Sequence, residues 1–276
     1  MNDIAHLKSW IGRTETIEDI ASALPLAGLA ALLDHETPPW RAGEVPPLGH
    51  WLYFLNRARQ SQIDVDGHPR RGGFLPPIAL PRRMWAGSRL EFLAPIAIGA
   101  KIARRSTIEN VQSKSGASGE MMFLTVRHEI ASGGVIAIRE EQDIVFRDAP
   151  KTAETARPGE PAPIADATRT ITPDITQLFR FSALTFNAHR IHYDRDYARD
   201  VEGYPGLVVQ GPFTAMLLMD HHLRRNPGAR VGRFSFRARR PHFEGRPLGL
   251  CAHANALWSV DGEGAVGVSA DILPSP

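Results

Sequence analysis

One stretch of eight residues brings together an asparagine, two histidines, an arginine and an aspartate: Asn187, His189, Arg190, His192 and Asp194. The stretch has no regular apolar period, and a purely structural loop does not usually concentrate such side chains. An imidazole exchanges a proton near neutral pH, and an amide can hold a water molecule in place. We call residues 187–194 the catalytic loop and expect it to activate water.

A glycine follows the catalytic loop at the predicted start of a helix. Gly211 precedes Pro212, and proline is favoured in the first turn of a helix. We predict a helix over residues 212–225, ended by Asn226-Pro227-Gly228. The backbone N–H groups at a helix start are unpaired and carry partial positive charge. Opposite an imidazole, the N–H of Gly211 could hold an enolate oxygen while water is added to a double bond.

Residues 183–194 read ALTFNAHRIHYD. They resemble the A-L-S-G-D-x-N-P-L-H-x-D motif of the MaoC-like (R)-specific enoyl-CoA hydratases. The resemblance places His192 at the catalytic histidine, Asn187 at the catalytic aspartate and Gly211 at the oxyanion glycine. Because an amide cannot take a proton, Asn187 is expected to orient water and His192 to be the acid–base group.

Three longer stretches, 67–77, 81–87 and 202–212, extend the resemblance over nearly the whole chain. They are similar to the branch that contains type 2 hydroxyacyl-thioester dehydratases and mesaconyl-C4-CoA/itaconyl-CoA hydratases. The resemblance implies a hydro-lyase that hydrates itaconyl-CoA or mesaconyl-C4-CoA to (S)-citramalyl-CoA, a step of itaconate degradation. Two alternatives stay open: an (R)-3-hydroxyacyl-thioester dehydratase of fatty-acid metabolism, and a hot-dog module that binds acyl-CoA without turnover. No cofactor is expected, since coenzyme A is part of the substrate.

The elements that must position these residues repeat along the chain. Residues 1–150 and 169–276 each show helical patterns followed by period-two strands, and the Pro-rich segment 151–168 is typical of a linker. Both halves contain a strand, a Pro-x-x-x-Gly turn and another strand, which indicates an internal duplication. We predict that the two sheets pair edge to edge, and that a helix begins the first half at residues 17–24.

The resemblance implies an α+β double hot-dog fold that agrees with the duplication. In this fold two antiparallel sheets, each wrapped around a central helix, pair as a pseudo-dimer within one chain. The second half would carry the catalytic loop and the central helix. The first half, without equivalents of Asn187 and His192, would shape the acyl pocket.

Several polar and aromatic side chains are candidates for binding the substrate. A free carboxylate on the acyl group is costly to bury without a partner, and an arginine fork supplies two charge-assisted hydrogen bonds. Trp85, Phe74 and Trp51 could wall off a short acyl pocket. The candidate polar contacts are Arg82, Arg83, Arg70, Arg71, Arg190 and Gln210.

Other interpretations of the same residues were weighed. His189 and His192 could form a metal pair, but the neighbouring sequence contains no convincing further ligands, so no metal is expected. Asp194 could cap a helix or could orient His189 or Arg190. The arginine excess, 28 of the 32 basic residues, fits a GC-rich genome as well as anion binding.

The composition excludes several other functions. A formal net charge of +2 does not favour a nucleic-acid partner or a membrane surface. A lone cysteine, Cys251, excludes an intrachain disulfide and a Cys-rich zinc site. The chain shows no signal peptide and no apolar run long enough for a membrane span. We therefore expect a cytoplasmic enzyme that acts on an acyl-CoA substrate and forms a homo-oligomer, most simply a dimer.

Overall fold

Ten antiparallel strands form one continuous sheet in the computed structural model, which describes residues 3–116, 119–148 and 162–275. The strands of the first half are β1 (Thr14–Ile20), β2 (Arg82–Phe92), β3 (Lys101–Gly116), β4 (Gly119–Ser132) and β5 (Val135–Arg147). Those of the second half are β6 (Ala167–Ile171), β7 (Val231–Ala238), β8 (Leu248–His253), β9 (Ala256–Val260) and β10 (Val266–Pro274). Burial alternates along strands such as β4, so that one face packs on the core.

The strand order confirms the predicted edge-to-edge pairing. Across the sheet the order is β1-β3-β4-β5-β2-β7-β10-β9-β8-β6, so the two halves are arranged symmetrically about the centre. The halves join where β2 pairs with β7, from Gly87 opposite Arg237 to Glu91 opposite Arg233. This central pairing covers one edge of each five-stranded half. The architecture is the α+β arrangement expected of a double hot-dog.

Among the described residues, four α-helices accompany the sheet: α1 (Ile4–Lys8), α2 (Ala23–Leu32), α3 (Ile175–Thr185) and α4 (Gly211–Arg225). The predicted central helix is α4, in which every residue from Phe213 to His221 is buried. It contacts β8, β9 and β10 of its own half and β2 of the other half. Its packing therefore places the start of α4 at the junction between the halves.

The first half lacks a counterpart of α4 among its described residues. In the segment 33–81 the helical turns are two short 3-10 helices, Gly49–Leu52 and Gln60–Gln62. Leu48, Leu52 and Phe54 of this segment are buried in the main core. The rest of the segment reaches the catalytic loop, as shown below.

The helix predicted at residues 17–24 is wrong. Residues 14–20 form β1, which pairs with β3 from Thr14 opposite Thr107 to Ile20 opposite Lys101. The short helical spacing was outweighed by pairing with a strand that is distant in sequence. The helix starts at Ala23 as α2, with Pro25 in its first turn, where a missing N–H breaks no helical hydrogen bond.

The predicted linker 151–168 falls mainly outside the described residues. Strand β6 begins at Ala167, so the last two residues assigned to the linker belong to the second half. The exact domain bounds stay a prediction. Among the described helices, none combines the length and the apolar character needed to cross a membrane.

Candidate active site

Helix α3 leads directly into the catalytic loop. Asp174 accepts the N–H of Gln177 at 2.7 Å, and the Gln177 side chain accepts the N–H of Asp174 at 3.2 Å. This capping box, Asp-x-x-Gln, is the sequence signal that could have located the helix. The helix ends at Thr185, and Phe186 turns the chain through a left-handed conformation with φ of 49°.

Asn187 organises the start of the catalytic loop. Its N–H donates to Ser182 O at 2.8 Å, and its side-chain oxygen accepts the N–H of His189 at 3.1 Å. An aspartate at this position could accept the same hydrogen bond, which explains how amide and carboxylate can both fit this loop geometry. The Asn187 side chain is half-buried. A water-orienting role for its amide stays a prediction.

His192 is buried in a short 3-10 turn, Arg190–His192. Its Nδ1 lies 2.7 Å from Val208 O, and because a carbonyl only accepts, Nδ1 carries the proton and donates. Burial lowers the pKa of His192 to about 4, although the hydrogen bond to Val208 opposes the shift. At neutral pH the imidazole is therefore uncharged, with Nε2 as its basic atom.

The start of α4 is tied to the same histidine. Val208 accepts the Nδ1–H of His192 and donates its own N–H to Ile191 O at 3.0 Å. Three residues later Gly211 opens the helix, and a Cβ placed on it would lie 3.7 Å from Trp85 O of β2. The catalytic loop and the helix start thus lie together, as expected, and the central strand β2 borders them.

Gln210, predicted as a substrate contact, braces two helices. Its buried amide donates to Leu178 O at 3.0 Å and to Ser182 Oγ at 2.9 Å, both on α3. The hydrogen bonds hold the end of α3 against the start of α4. Contact with substrate through this residue stays a prediction.

A loop of the first half packs directly on the catalytic loop. Asp66 O accepts the N–H of Arg190 at 2.9 Å. Gly67 has φ of 89°, and a Cβ on it would overlap Ala188 O. Only glycine allows so close an approach of two backbones. We call residues 64–68 the abutting loop.

The abutting loop adds a carboxylate and an imidazole that the sequence reasoning missed. Asp66 accepts the N–H of His68 at 2.9 Å through Oδ1, and its Oδ2 lies 3.1 Å from His68 Nδ1. The ring of His68 lies 4.2 Å from that of His189, which lies 5.3 Å from that of His192. The motif residues Gly67 and His68 were noticed for their resemblance, but their contact with a loop over 100 residues away has no local signal.

The three neighbouring histidines, His68, His189 and His192, are uncharged at neutral pH. Burial lowers the pKa of His68, and burial together with the neighbouring His68 and His192 lowers that of His189. Burial alone would raise the pKa of Asp66, but its hydrogen bonds and charge interaction with His68 hold that pKa well below its ordinary range. Asp66 is thus an anion that orients a neutral His68 through Nδ1–H.

Asp66, His68 and His189 also bring ligand-type atoms within 4.8 Å of one another. This set differs from the pair His189 and His192 that the sequence suggested as metal ligands. It does not include His192, and two of its members, Asp66 and His68, come from the first half. The cationic guanidinium of Arg83 interacts with both histidines and opposes a second positive charge there. The Asp66–His68 hydrogen bonds explain the arrangement by themselves.

Two of the candidate arginines, Arg82 and Arg71, already have partners within the protein. Arg82 Nε donates to Glu202 at 2.7 Å, and its guanidinium lies 4.7 Å from the Tyr204 ring. Arg71 donates to the carbonyls of Ile78, Leu80 and Pro81. We therefore assign Arg82 and Arg71 to holding the scaffold of the site.

The sequence left open whether Asp194 caps a helix or orients a neighbouring side chain, and the structure shows that it does both. Asp194 accepts the N–H of Tyr197 at 3.0 Å and pairs with Arg190 at 2.7 Å, so it both caps the next turn and orients the arginine. Arg190 also donates to Val65 O at 3.1 Å. Arg190 thereby links the catalytic loop to the abutting loop.

Trp85 forms an aromatic wall beside the start of α4. Its ring lies 5.0 Å from Trp51 and 6.1 Å from Phe236. Beneath the wall, the buried Glu140 accepts the Trp51 Nε1–H at 3.1 Å and the Ser88 hydroxyl at 2.8 Å.

Phe74 does not join this wall, contrary to expectation. It packs against a second hydrophobic cluster that includes Ile78 and Phe146. The aromatic cluster therefore contains Trp51 and Trp85 together with Phe236 of β7, and its role as the wall of an acyl pocket stays a prediction.

Comparison with known proteins agrees with this geometry. The family model for type 2 hydroxyacyl-thioester dehydratases matches residues 48–244. The mesaconyl-C(4)-CoA hydratase of Chloroflexus aurantiacus is 48% identical over 273 residues, covering 96% of each chain. Both names denote hydro-lyases, and the chain is a hydratase of this kind.

Two solved structures show the same fold. HtdX of Mycobacterium tuberculosis matches with a TM-score of 0.70 at 20% identity, covering 95% of this chain and all of that one. A second Mycobacterium tuberculosis protein, described as having a double hotdog fold, matches with a TM-score of 0.56 at 14% identity over 95% of each chain. The double hot-dog fold is thereby confirmed. With the match of residues 48–244 to its model, the chain belongs to the type 2 hydroxyacyl-thioester dehydratase family.

Proposed function

We propose that the enzyme hydrates a short, branched dicarboxylyl thioester of coenzyme A, mesaconyl-C4-CoA or itaconyl-CoA, to citramalyl-CoA. The observation that carries the reaction is the neutral, buried His192, held through Nδ1 by Val208 next to the helix start at Gly211. The 48% identity to a mesaconyl-C(4)-CoA hydratase supports the substrate. The wall of Trp51 and Trp85 supports a short acyl group over a long one.

The proposed mechanism uses one base. Nε2 of His192 takes a proton from water while the hydroxide oxygen bonds to the β-carbon of the thioester. The π electrons move toward the thioester carbonyl, and the Gly211 N–H with the positive end of the α4 dipole stabilises the enolate oxygen. The imidazolium then gives the same proton to the α-carbon of mesaconyl-C4-CoA, so His192 returns to its neutral form. Itaconyl-CoA, whose double bond lies between the β- and γ-carbons, first loses an α-proton to His192 and regains it at the γ-carbon through the same stabilised enolate, which converts it to mesaconyl-C4-CoA. Asn187 orients the water.

Two further properties belong to the proposal. A cytoplasmic location is supported by the bacterial relative, and a homodimer is retained from the sequence expectation. No cofactor is proposed, because the chemistry needs only a base, an enolate-stabilising donor and water. Coenzyme A enters as part of the substrate.

A panel of thioesters tests the proposed substrate. We expect kcat/KM for mesaconyl-C4-CoA or itaconyl-CoA to exceed that for crotonyl-CoA and a medium-chain 2-enoyl-CoA by about tenfold or more, equal to about 1.4 kcal/mol of transition-state binding. Loss of the conjugated-enone absorbance follows the 2-enoyl substrates, and chromatography of the acyl-CoA products follows itaconyl-CoA. If the unsubstituted chains are preferred tenfold, the fatty-acid dehydratase function replaces this one, and no turnover at all would favour the binding module.

A further inference from the structure

Arg83 lies on the strand that borders the proposed oxyanion site. Alternation along β2 places it on the same face as Trp85, about 7 Å away along the backbone. The carbonyl of Trp85 is the neighbour of Gly211. Arg83 is therefore one short acyl group away from the helix start at which the thioester oxygen is proposed to bind.

Arg83 differs from Arg71, Arg82 and Arg190, whose guanidinium groups have partners among the described residues. In the described parts of the chain no carboxylate lies within ion-pair distance of its guanidinium and no hydrogen bond engages it, whereas Arg82 pairs with Glu202. The residue is half-buried. Its guanidinium nitrogens do not belong to the side-chain atoms that are both fully buried and without a hydrogen-bond partner, so they are exposed to solvent. A ligand can thus reach the guanidinium.

The charges around Arg83 favour binding of an anion with a single negative charge, such as a carboxylate. Burial lowers the pKa of Arg83 to about 10, so the guanidinium is still charged at neutral pH. Asp66 interacts with Arg83 as an opposite charge and Arg71 as a like charge, and both carboxylate oxygens of Asp66 are engaged by His68. Asp66 offsets the charge of Arg83 without occupying its hydrogen-bond donors.

The chemistry of the proposed substrate places a carboxylate at this position. In mesaconyl-C4-CoA and in itaconyl-CoA the free carboxylate is bonded to the β-carbon, the atom that receives the hydroxide. Arg83 interacts with His189, whose ring lies 5.3 Å from that of His192. The carboxylate and the attacking water must therefore share this corner of the site.

We propose that Arg83 binds the free carboxylate of the substrate through its guanidinium fork, and that Asp66, held by His68, is its counter-ion in the empty site. The inference rests on the proposed function for the identity of the anion. Because Asp66 competes electrostatically for Arg83, it weakens carboxylate binding and limits the affinity. The acyl specificity thus comes from two elements of the first half, β2 and the abutting loop.

Two saturated thioesters separate the subsite from catalysis. In 2-methylsuccinyl-C4-CoA a carboxylate occupies the position that a methyl group occupies in isovaleryl-CoA, and neither compound can be hydrated. We expect calorimetry on the wild-type protein to show tighter binding of the first by about 30-fold or more, as for two charge-assisted hydrogen bonds. Arg83→Met should abolish this preference while binding isovaleryl-CoA within about threefold of wild type.

Three variants complete the experiment. Arg89→Met is the matched control on the same strand, because Arg89 is exposed and pairs with Asp143, and it should keep the full preference. Arg83→Lys keeps the charge but loses the fork, so it should lose about tenfold for the dicarboxylyl ligand alone, and it replaces Arg83→Met if that variant does not fold. Asp66→Asn should tighten the dicarboxylyl ligand by roughly threefold or more, since a competing charge is removed.

The outcomes distinguish the two proposals. An Arg83→Met protein that keeps the carboxylate preference, or that loses both ligands equally, overturns the role of Arg83. A wild-type protein without any preference between the two ligands also overturns it. If Arg83 carries the preference but the thioester panel favours unsubstituted chains, the subsite stands as an anion site and only the proposed substrate is wrong.

Discussion

His192 takes its orientation from a backbone carbonyl, not from a carboxylate. The hydrogen bond from Nδ1 to Val208 fixes the tautomer and leaves Nε2 free, while burial keeps the ring neutral. A neutral base avoids the need to deprotonate before each turnover. An asparagine at position 187, where the MaoC-like motif has an aspartate, is therefore compatible with the proposed mechanism, in which His192 alone moves the proton.

Replacement of His192 should remove most of the activity without unfolding the protein. We expect His192→Ala to lower kcat for the best thioester by about 10² to 10⁴, the usual contribution of a general acid–base group. Steady-state kinetics on the variant and on His222→Ala, a half-buried histidine of α4 outside the site, give the comparison. Should His192→Ala keep more than about a third of wild-type kcat, the proton transfer must be assigned to another group.

At the scale of elements, the candidate active site lies where two loops from different halves of the chain touch. The catalytic loop is positioned by α3 and the start of α4, whereas the abutting loop belongs to the long connection between α2 and β2. Their contact uses Gly67 against Ala188, and Arg190 against Val65 and Asp66. The site can therefore be perturbed from the first half without touching any reacting group.

A methyl group at Gly67 should separate these two loops. In Gly67→Ala the Cβ meets Ala188 O, so we expect kcat to fall by about 10-fold to 100-fold, as for a displacement of about 1 Å near a reacting centre. Gly72→Ala is the control, because Gly72 has a similar φ of 93° but its nearest neighbour would be Pro77 at 3.7 Å. Equal kinetic losses in both variants would show that backbone strain, not the loop contact, is responsible.

At the scale of the whole molecule, the junction between the halves holds the fold together and borders the candidate active site. β2 pairs with β7 across it, α4 packs on β2, and the buried Arg82–Glu202 pair connects the first half to the second. The core on either side also buries uncharged histidines: His128 in the first half, and His192 and His242 in the second. Their protonation would require the fold to open.

The buried histidines should make the whole fold sensitive to acid. Burial lowers the pKa of His128, His192 and His242 to about 4, whereas an unfolded histidine titrates near 6.5. Between these values the unfolded chain binds protons that the folded chain does not, so the free energy of unfolding falls as the pH drops from 6.5 to about 4. The stabilisation is fully present above pH 6.5, and each histidine accounts for about 1.4 kcal/mol per pH unit.

Urea unfolding at pH 7, 6 and 5 measures this dependence. His242→Asn removes one of the titrating groups and should show a shallower loss of stability between pH 6.5 and 5 than the wild type. His253→Gln, at an exposed position on β8, is the control and should keep the wild-type slope. Identical slopes for all three proteins would contradict the assignment of the acid sensitivity to buried neutral histidines.

The sequence by itself determined the features that depend on neighbouring residues. The composition of residues 187–194, the helix start at Gly211 and the strand periodicity are local patterns, and they led to the catalytic loop, to α4 and to the duplication. Edge-to-edge pairing followed because two similar sheets each have an edge to cover. The resemblance of the motifs added the reaction, and the comparisons confirmed it.

Only the tertiary structure decided which distant residues meet. The spacing of Ile17 to Leu24 satisfied a helix, yet pairing with β3 made a strand of residues 14–20, since long-range hydrogen bonds outweigh a weak local preference. Arg82 and Arg83 are equivalent as sequence, but alternation along β2 gives one a buried partner and leaves the other open. Asp66 and His68 join the site because Gly67 lets two backbones touch across 120 residues, and no local pattern records such a contact.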